Sequence, residues 1–123
     1  MNAYAQAQRA YSPVNSPTKT TRSIEYEVIA RISHRLKAAV KSKNYNALAE
    51  ALYDNNKLWT ALAIDVANPE NLLPEELRAR IFYLADFTRQ HTSKVLMKQD
   101  NAVPLLEINA AILKGLKQEA GKQ

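Results

Sequence analysis

Leu48-Ala49-Glu50-Ala51-Leu52-Tyr53-Asp54-Asn55-Asn56-Lys57-Leu58-Trp59 is the stretch from which the rest of the chain can be read. Its apolar residues recur every three or four positions, and the pattern runs on through Leu62, Ala63 and Val66. That spacing places Leu48, Leu52, Trp59, Leu62, Ala63 and Val66 on one face of an α-helix. Asn55 falls in the middle of the same face, one turn before the only tryptophan. A buried amide left without a partner costs roughly 1–3 kcal/mol, so Asn55 needs a reason to be there. Three readings stand open. It bonds across the core, to Thr88, His91 or Asn109, and fixes helix register. It satisfies an exposed backbone turn. Or it faces a groove that a partner fills. On the opposite side of the helix Tyr53, Lys57, Ala61 and Ile64 form a second, thinner strip with apolar character. A helix with two such strips sits centrally in a bundle or offers one strip to a partner.

Working outward, the central helix should run from about Asn46, as N-cap, to Ala67, where Asn68-Pro69 stops it. Before it, a helix from about Arg22 to Ser42 has Ile24, Val28, Ile29, Ile32, Leu36, Ala39 and Val40 on its inner face. Glu25 sits near the start of that face, as a first-turn cap or half of an ion pair. After it, Pro74 suits the first turn of a third helix, followed by Glu75 and Glu76 at its positive end. This helix should reach about Lys98, with Leu77, Ile81, Leu84, Thr88, Thr92 and Val95 inward and His91 at the edge. Asp100-Asn101 makes a turn. A fourth helix runs from Pro104 to about Leu116, with Leu105, Ile108, Ile112 and Leu116 on one face and Asn109 among them; residues after Lys117 should fray. The result is an all-α fold, a small antiparallel bundle of about four helices. Residues 22–123 form the bundle domain. Residues 1–21 form a flexible N-terminal segment, with a short helix over 2–10 and a Pro- and Ser-bearing linker over 12–20.

Composition supports one domain. The chain has 123 residues, two glycines and no period-two β-branched run. It has no cysteine, which removes disulfides, thiolate metal sites and a cysteine nucleophile. Neither a signal peptide nor a membrane-spanning run is visible, so a cytoplasmic protein without membrane insertion is expected. The net charge of +5 is unevenly placed. Residues 1–43 hold eight Lys/Arg against two Asp/Glu, while residues 44–123 hold nine against ten. The basic character of the first third, at Arg31, Arg35, Lys37, Lys41 and Lys43, suits RNA or an acidic partner, or is simply a solvated helix face.

Catalytic chemistry finds little foothold. His34 and His91 lack companions at ligand spacing, and Glu75-Glu76 reads as a helix start. Both glycines lie near the C-terminus, away from any phosphate loop. No enzyme activity, metal or cofactor is expected. Trp59 reads first as a core anchor. Tyr53, Ile64, Phe82 and Tyr83 lie off the inner faces and are the candidates for partner contact.

Several motifs carry a family resemblance when taken in order: Ala7-Gln8-Arg9-Ala10-Tyr11, Arg22-Ser23-Ile24-Glu25-Tyr26-Glu27, Ala47-Leu48-Ala49-Glu50-Ala51-Leu52 and Asn55-Asn56-Lys57-Leu58-Trp59. They continue with Asn71-Leu72-Leu73-Pro74-Glu75-Glu76-Leu77-Arg78-Ala79, Phe82-Tyr83-Leu84-Ala85-Asp86-Phe87-Thr88 and Leu106-Glu107-Ile108-Asn109. In these the chain resembles the FlaF family of flagellar biosynthesis regulators, with Glu25, Asn55, Trp59, Asn71 and Pro74 as a structural signature. The resemblance implies a positive regulator of flagellin synthesis and filament assembly, a flagellin-binding chaperone of type III export. It also implies action opposite FlbT, a regulator linked to flagellin mRNA. The alternative is direct post-transcriptional regulation, with the basic helix binding flagellin mRNA.

Overall fold

The computed structural model describes residues 21–121. The expectations for the N-terminal segment lie outside these residues, and the Glu25 side chain is likewise not described. Four α-helices follow one another: α1 (Thr21–Ser42), α2 (Tyr45–Ala67), α3 (Glu75–Leu96) and α4 (Val103–Gly121). Contacts join α1 to α2, α2 to α3, α3 to α4 and α4 back to α1. With connections of two to seven residues between them, this closed ring is an antiparallel four-helix bundle.

The helix ends depart from the sequence reading in five places. The cap of α2 is Asn44 rather than Asn46. Lys43 takes a left-handed conformation (φ 56°) that ends α1 abruptly, leaving Asn44 extended. Its Oδ1 accepts the Ala47 N–H at 3.1 Å. Pro74 stands before the first turn of α3, not within it: its ψ of 144° is not helical, and its carbonyl accepts the Arg78 N–H at 2.9 Å. Helix α3 stops at Leu96, short of Lys98, because Lys98 is left-handed (φ 61°). Helix α4 begins one residue early, where the Val103 N–H meets Asn101 Oδ1 at 2.9 Å, and extends through Lys117 to Gly121. Lys117-Gln118-Glu119-Ala120 contains only good helix formers, so nothing local ends it sooner.

The α2–α3 connection explains Asn71, one of the signature residues. Asn71 Nδ2 reaches the Asp65 carbonyl and carboxylate at 3.3 and 3.2 Å, and its Oδ1 accepts the Leu73 N–H at 3.0 Å. Leu73 is thereby turned into the core while Leu72 stays 87% exposed. Arg78 then closes α2 from α3, donating to the carbonyls of Val66 and Asn68 at 3.1 and 3.0 Å. These bonds satisfy backbone groups that a helix end leaves open.

The core has two apolar parts. One contains Val28, Ile29, Leu58, Trp59, Leu62, Leu77, Ile81, Ile112 and Leu116. The other contains Leu36, Ala39, Ala51, Leu52, Val95, Ala102 and Leu105. On every helix a polar residue on the inner side falls between the two parts: Ser33 on α1, Asn55 on α2, Thr88, His91 and Thr92 on α3, and Asn109 on α4. Burial of Asn55, Thr88, His91, Thr92 and Asn109 makes this a transverse polar layer.

Candidate partner-binding surface

The polar layer settles where Asn55 points. Asn55 is fully buried, and its Oδ1 accepts a hydrogen bond from Asn109 Nδ2 at 2.9 Å. Asn109 also donates to Ser33 Oγ at 2.9 Å and accepts from Trp59 Nε1 at 2.8 Å. A single amide thus ties α4 to α1 and, across the bundle diagonal, to α2. The partner of Asn55 is Asn109; Thr88 and His91, the other two candidates, do not bond it. His91 instead meets the Asn101 carbonyl through Nε2 at 2.9 Å and stacks on Phe87 with ring centroids 5.5 Å apart. Thr92 donates to the Thr88 carbonyl at 2.6 Å and lies 3.1 Å from Asn56 Oδ1, linking α3 to α2. Asn55 Nδ2 and Thr88 Oγ1 are buried without a hydrogen-bond partner among the described residues. Asn55 is therefore a core residue, and Trp59, 1% exposed, is a core anchor.

Among the described residues, none covers the opposite face of α2. Tyr53, Asn56, Lys57, Thr60, Ala61 and Ile64 line a shallow groove of about 280 Å³. Tyr53 is 63% exposed and Ile64 51%. Ala61, expected beside them on the outer strip, is instead buried as part of the apolar core. Its small side chain still borders the groove, as the floor between larger walls. Lys57 Nζ lies 5.5 Å above the Tyr53 ring, covering part of it.

The four surface candidates separate into two groups. The Arg78–Val66 and Thr92–Asn56 bonds fix the antiparallel register of α3 on α2. That register brings Phe82 level with Ile64, on the α2 side of α3. Tyr83 follows about 100° around the helix. It shares its strip with Phe87 and His91, whose bond to Asn101 places that strip toward α4. Phe82 thus lies on the α2 side of α3 and Tyr83 does not, while neither lines the groove itself. Sequence reasoning missed Asn56 and Thr60 as groove lining, because polar residues beside an apolar strip carry no distinguishing pattern.

Of the basic residues on α1, Arg35, Lys37 and Lys41 are exposed and Arg31 is half-buried. Arg31 and Arg35 share one strip, Lys37 and Lys41 another, about 120° apart at 100° per residue. Lys43 lies beyond the helix in the left-handed turn. The structure therefore distributes these charges over two flanks rather than one ridge. Among the described residues there is no group of three or more His, Cys, Asp or Glu able to hold a metal ion. Nor is any helix among them long and apolar enough to cross a membrane.

The class defined by these features is a small antiparallel four-helix bundle with a polar central layer and an open apolar groove on one helix. The chain belongs to the FlaF family of flagellar proteins, whose family model matches residues 7–116. Comparison with curated proteins and with solved structures found no match.

Proposed function

We propose that this flagellar protein acts without catalysis, in the cytoplasm, as a flagellin-binding chaperone of type III export. By holding flagellin it promotes flagellin production and filament assembly, opposite FlbT. The observation that carries this reading is the apolar surface left on the outside of α2 and α3 after the inner faces are filled: Tyr53, Ile64 and Phe82 are each more than half exposed. A small bundle of this kind holds an apolar face of a flagellin segment and keeps it from polymerising early. Ordering a disordered segment costs entropy, so affinity stays moderate and release at the export machinery is easy. Calorimetry and co-elution with purified flagellin test the reading. Binding at low micromolar concentration supports it; no heat and no co-elution at tens of micromolar refute it.

A second reading has direct binding of flagellin mRNA by Arg31, Arg35, Lys37, Lys41 and Lys43, all exposed except the half-buried Arg31. A gel shift with the leader RNA decides it, because real phosphate contacts make affinity fall steeply with salt. An affinity unchanged by reversing the charges of Arg35 and Lys41 counts against it. Two separated strips of charge and no interleaved aromatics make this the weaker reading.

A further inference from the structure

We propose that the outer groove of α2 takes one amphipathic α-helix of a partner protein, seated on Thr60 and Ala61, with a carboxylate of that helix set against Lys57. The inference rests on the partner-binding reading above and adds the shape and charge of what is bound.

The groove dictates a helix. From Tyr53 to Ile64 it follows α2 for about 16 Å, or three helical turns. Its ends are tall, at Tyr53 and Ile64. Its floor is short, at Thr60 and the buried Ala61. Tall walls around a low floor form a hole that accepts a leucine-sized knob from a facing helix. An extended peptide would gain little here, since the backbone of α2 is spent on its own helical bonds and offers no sheet edge.

Charge selects the flank of the incoming helix. Among the described residues, Lys57 is the only charged one lining the groove. On α3, Asp86 is engaged by Arg89 and Gln90, both at 2.8 Å. The charge left for a partner in the groove is therefore positive and lies near its middle. That position also argues against a second copy of this chain. Two-fold pairing of α2 outer faces would bring Lys57 against Lys57, a like-charge contact. A single cation among apolar walls is likewise a poor site for nucleic acid.

The test titrates the isotope-labelled full chain, observed by NMR, with a synthetic amphipathic peptide of about sixteen residues. It carries leucines at helical spacing and glutamates on the flanks; a twin carries lysines in their place. Shifts should concentrate at Tyr53, Asn56, Lys57, Thr60, Ala61 and Ile64. The glutamate peptide should bind at least about threefold more tightly than its twin, and K57M should abolish that difference. No binding, shifts centred on the Tyr83–Phe87–His91 strip, or equal affinities overturn the proposal. So does a stable dimer of the free protein that buries the groove in sedimentation. With flagellin as probe, I64E should weaken binding at least about tenfold and Y83E leave it unchanged. All three substituted side chains are exposed, and circular dichroism checks that the fold is kept. Flagellin binding that survives I64E refutes the groove while leaving the function standing. A groove filled by the acidic peptide in a protein that ignores flagellin refutes the function instead.

Discussion

Replacing Asn109 by leucine keeps the side chain about the same size and removes three hydrogen bonds at once. The losses are unequal. Ser33 is half-buried and turns to water, so its bond is replaced cheaply. Trp59 Nε1 and Asn55 Oδ1 have no such recourse, because both residues are essentially fully buried. Asn55 would be worst placed, since its Nδ2 is already unpaired; its whole amide would lie in the core with no partner. At roughly 1–3 kcal/mol per buried orphan, the two new orphans cost about 2–6 kcal/mol together. Against a total stability of about 5–15 kcal/mol, that is a severe loss. The discriminating variant is the double one, N55L/N109L. Removing Asn55 as well eliminates its stranded amide and leaves Trp59 Nε1 as the one new orphan. The double variant should therefore be more stable than N109L alone, by about 1–3 kcal/mol. Urea unfolding followed by far-UV circular dichroism and by fluorescence of the single tryptophan measures both quantities. If N55L/N109L is no more stable than N109L, the two amides are not coupled as the geometry requires and this account of the polar layer is wrong.

Other substitutions probe the helix ends. N44A removes the side-chain acceptor for the Ala47 N–H and should cost about 1 kcal/mol in urea unfolding, whereas N46A should cost far less. N71A frees Leu73 from its turn and strips two bonds from Asp65, for a loss of about 1–2 kcal/mol. K43G relieves a left-handed non-glycine residue and should raise stability by about 0.5 kcal/mol, a gain of a few degrees in Tm by calorimetry.

Much of the bundle is legible in one dimension. Leu52, Trp59, Leu62 and Val66 repeat at helical spacing because one face of α2 must be dry. The same logic identifies Val28, Ile29 and Leu36 on α1 and Leu105, Ile112 and Leu116 on α4. Helix ends are less legible. Asn44 and Asn46 are equally good caps by residue type, and only the left-handed backbone at Lys43 decides between them. Lys98 looks like a favourable last-turn cation, yet its own positive φ puts it outside the helix. The surface was harder still. Tyr53, Ile64, Phe82 and Tyr83 are all off the inner faces, but spacing along a chain cannot say which of them meet. That depends on the register between α2 and α3, which Arg78 and Thr92 set through contacts at opposite ends.

The sequence by itself determined the four helices and their inner faces, and its motifs pointed to the FlaF family. Periodicity and residue propensity are local properties, readable without knowing what packs where. It also marked Asn55 as an amide needing a partner, with Asn109 among three candidates. Only the tertiary structure chose Asn109, gathered Ser33, Asn55, Trp59 and Asn109 into one network, and divided the core into two apolar parts around it. It alone separated Tyr83 from Phe82 and sank Ala61 into the floor of a groove. Those outcomes depend on the rotation and register of whole helices against one another, and hydrogen bonds spanning fifty or more residues cannot be read from spacing along any one helix.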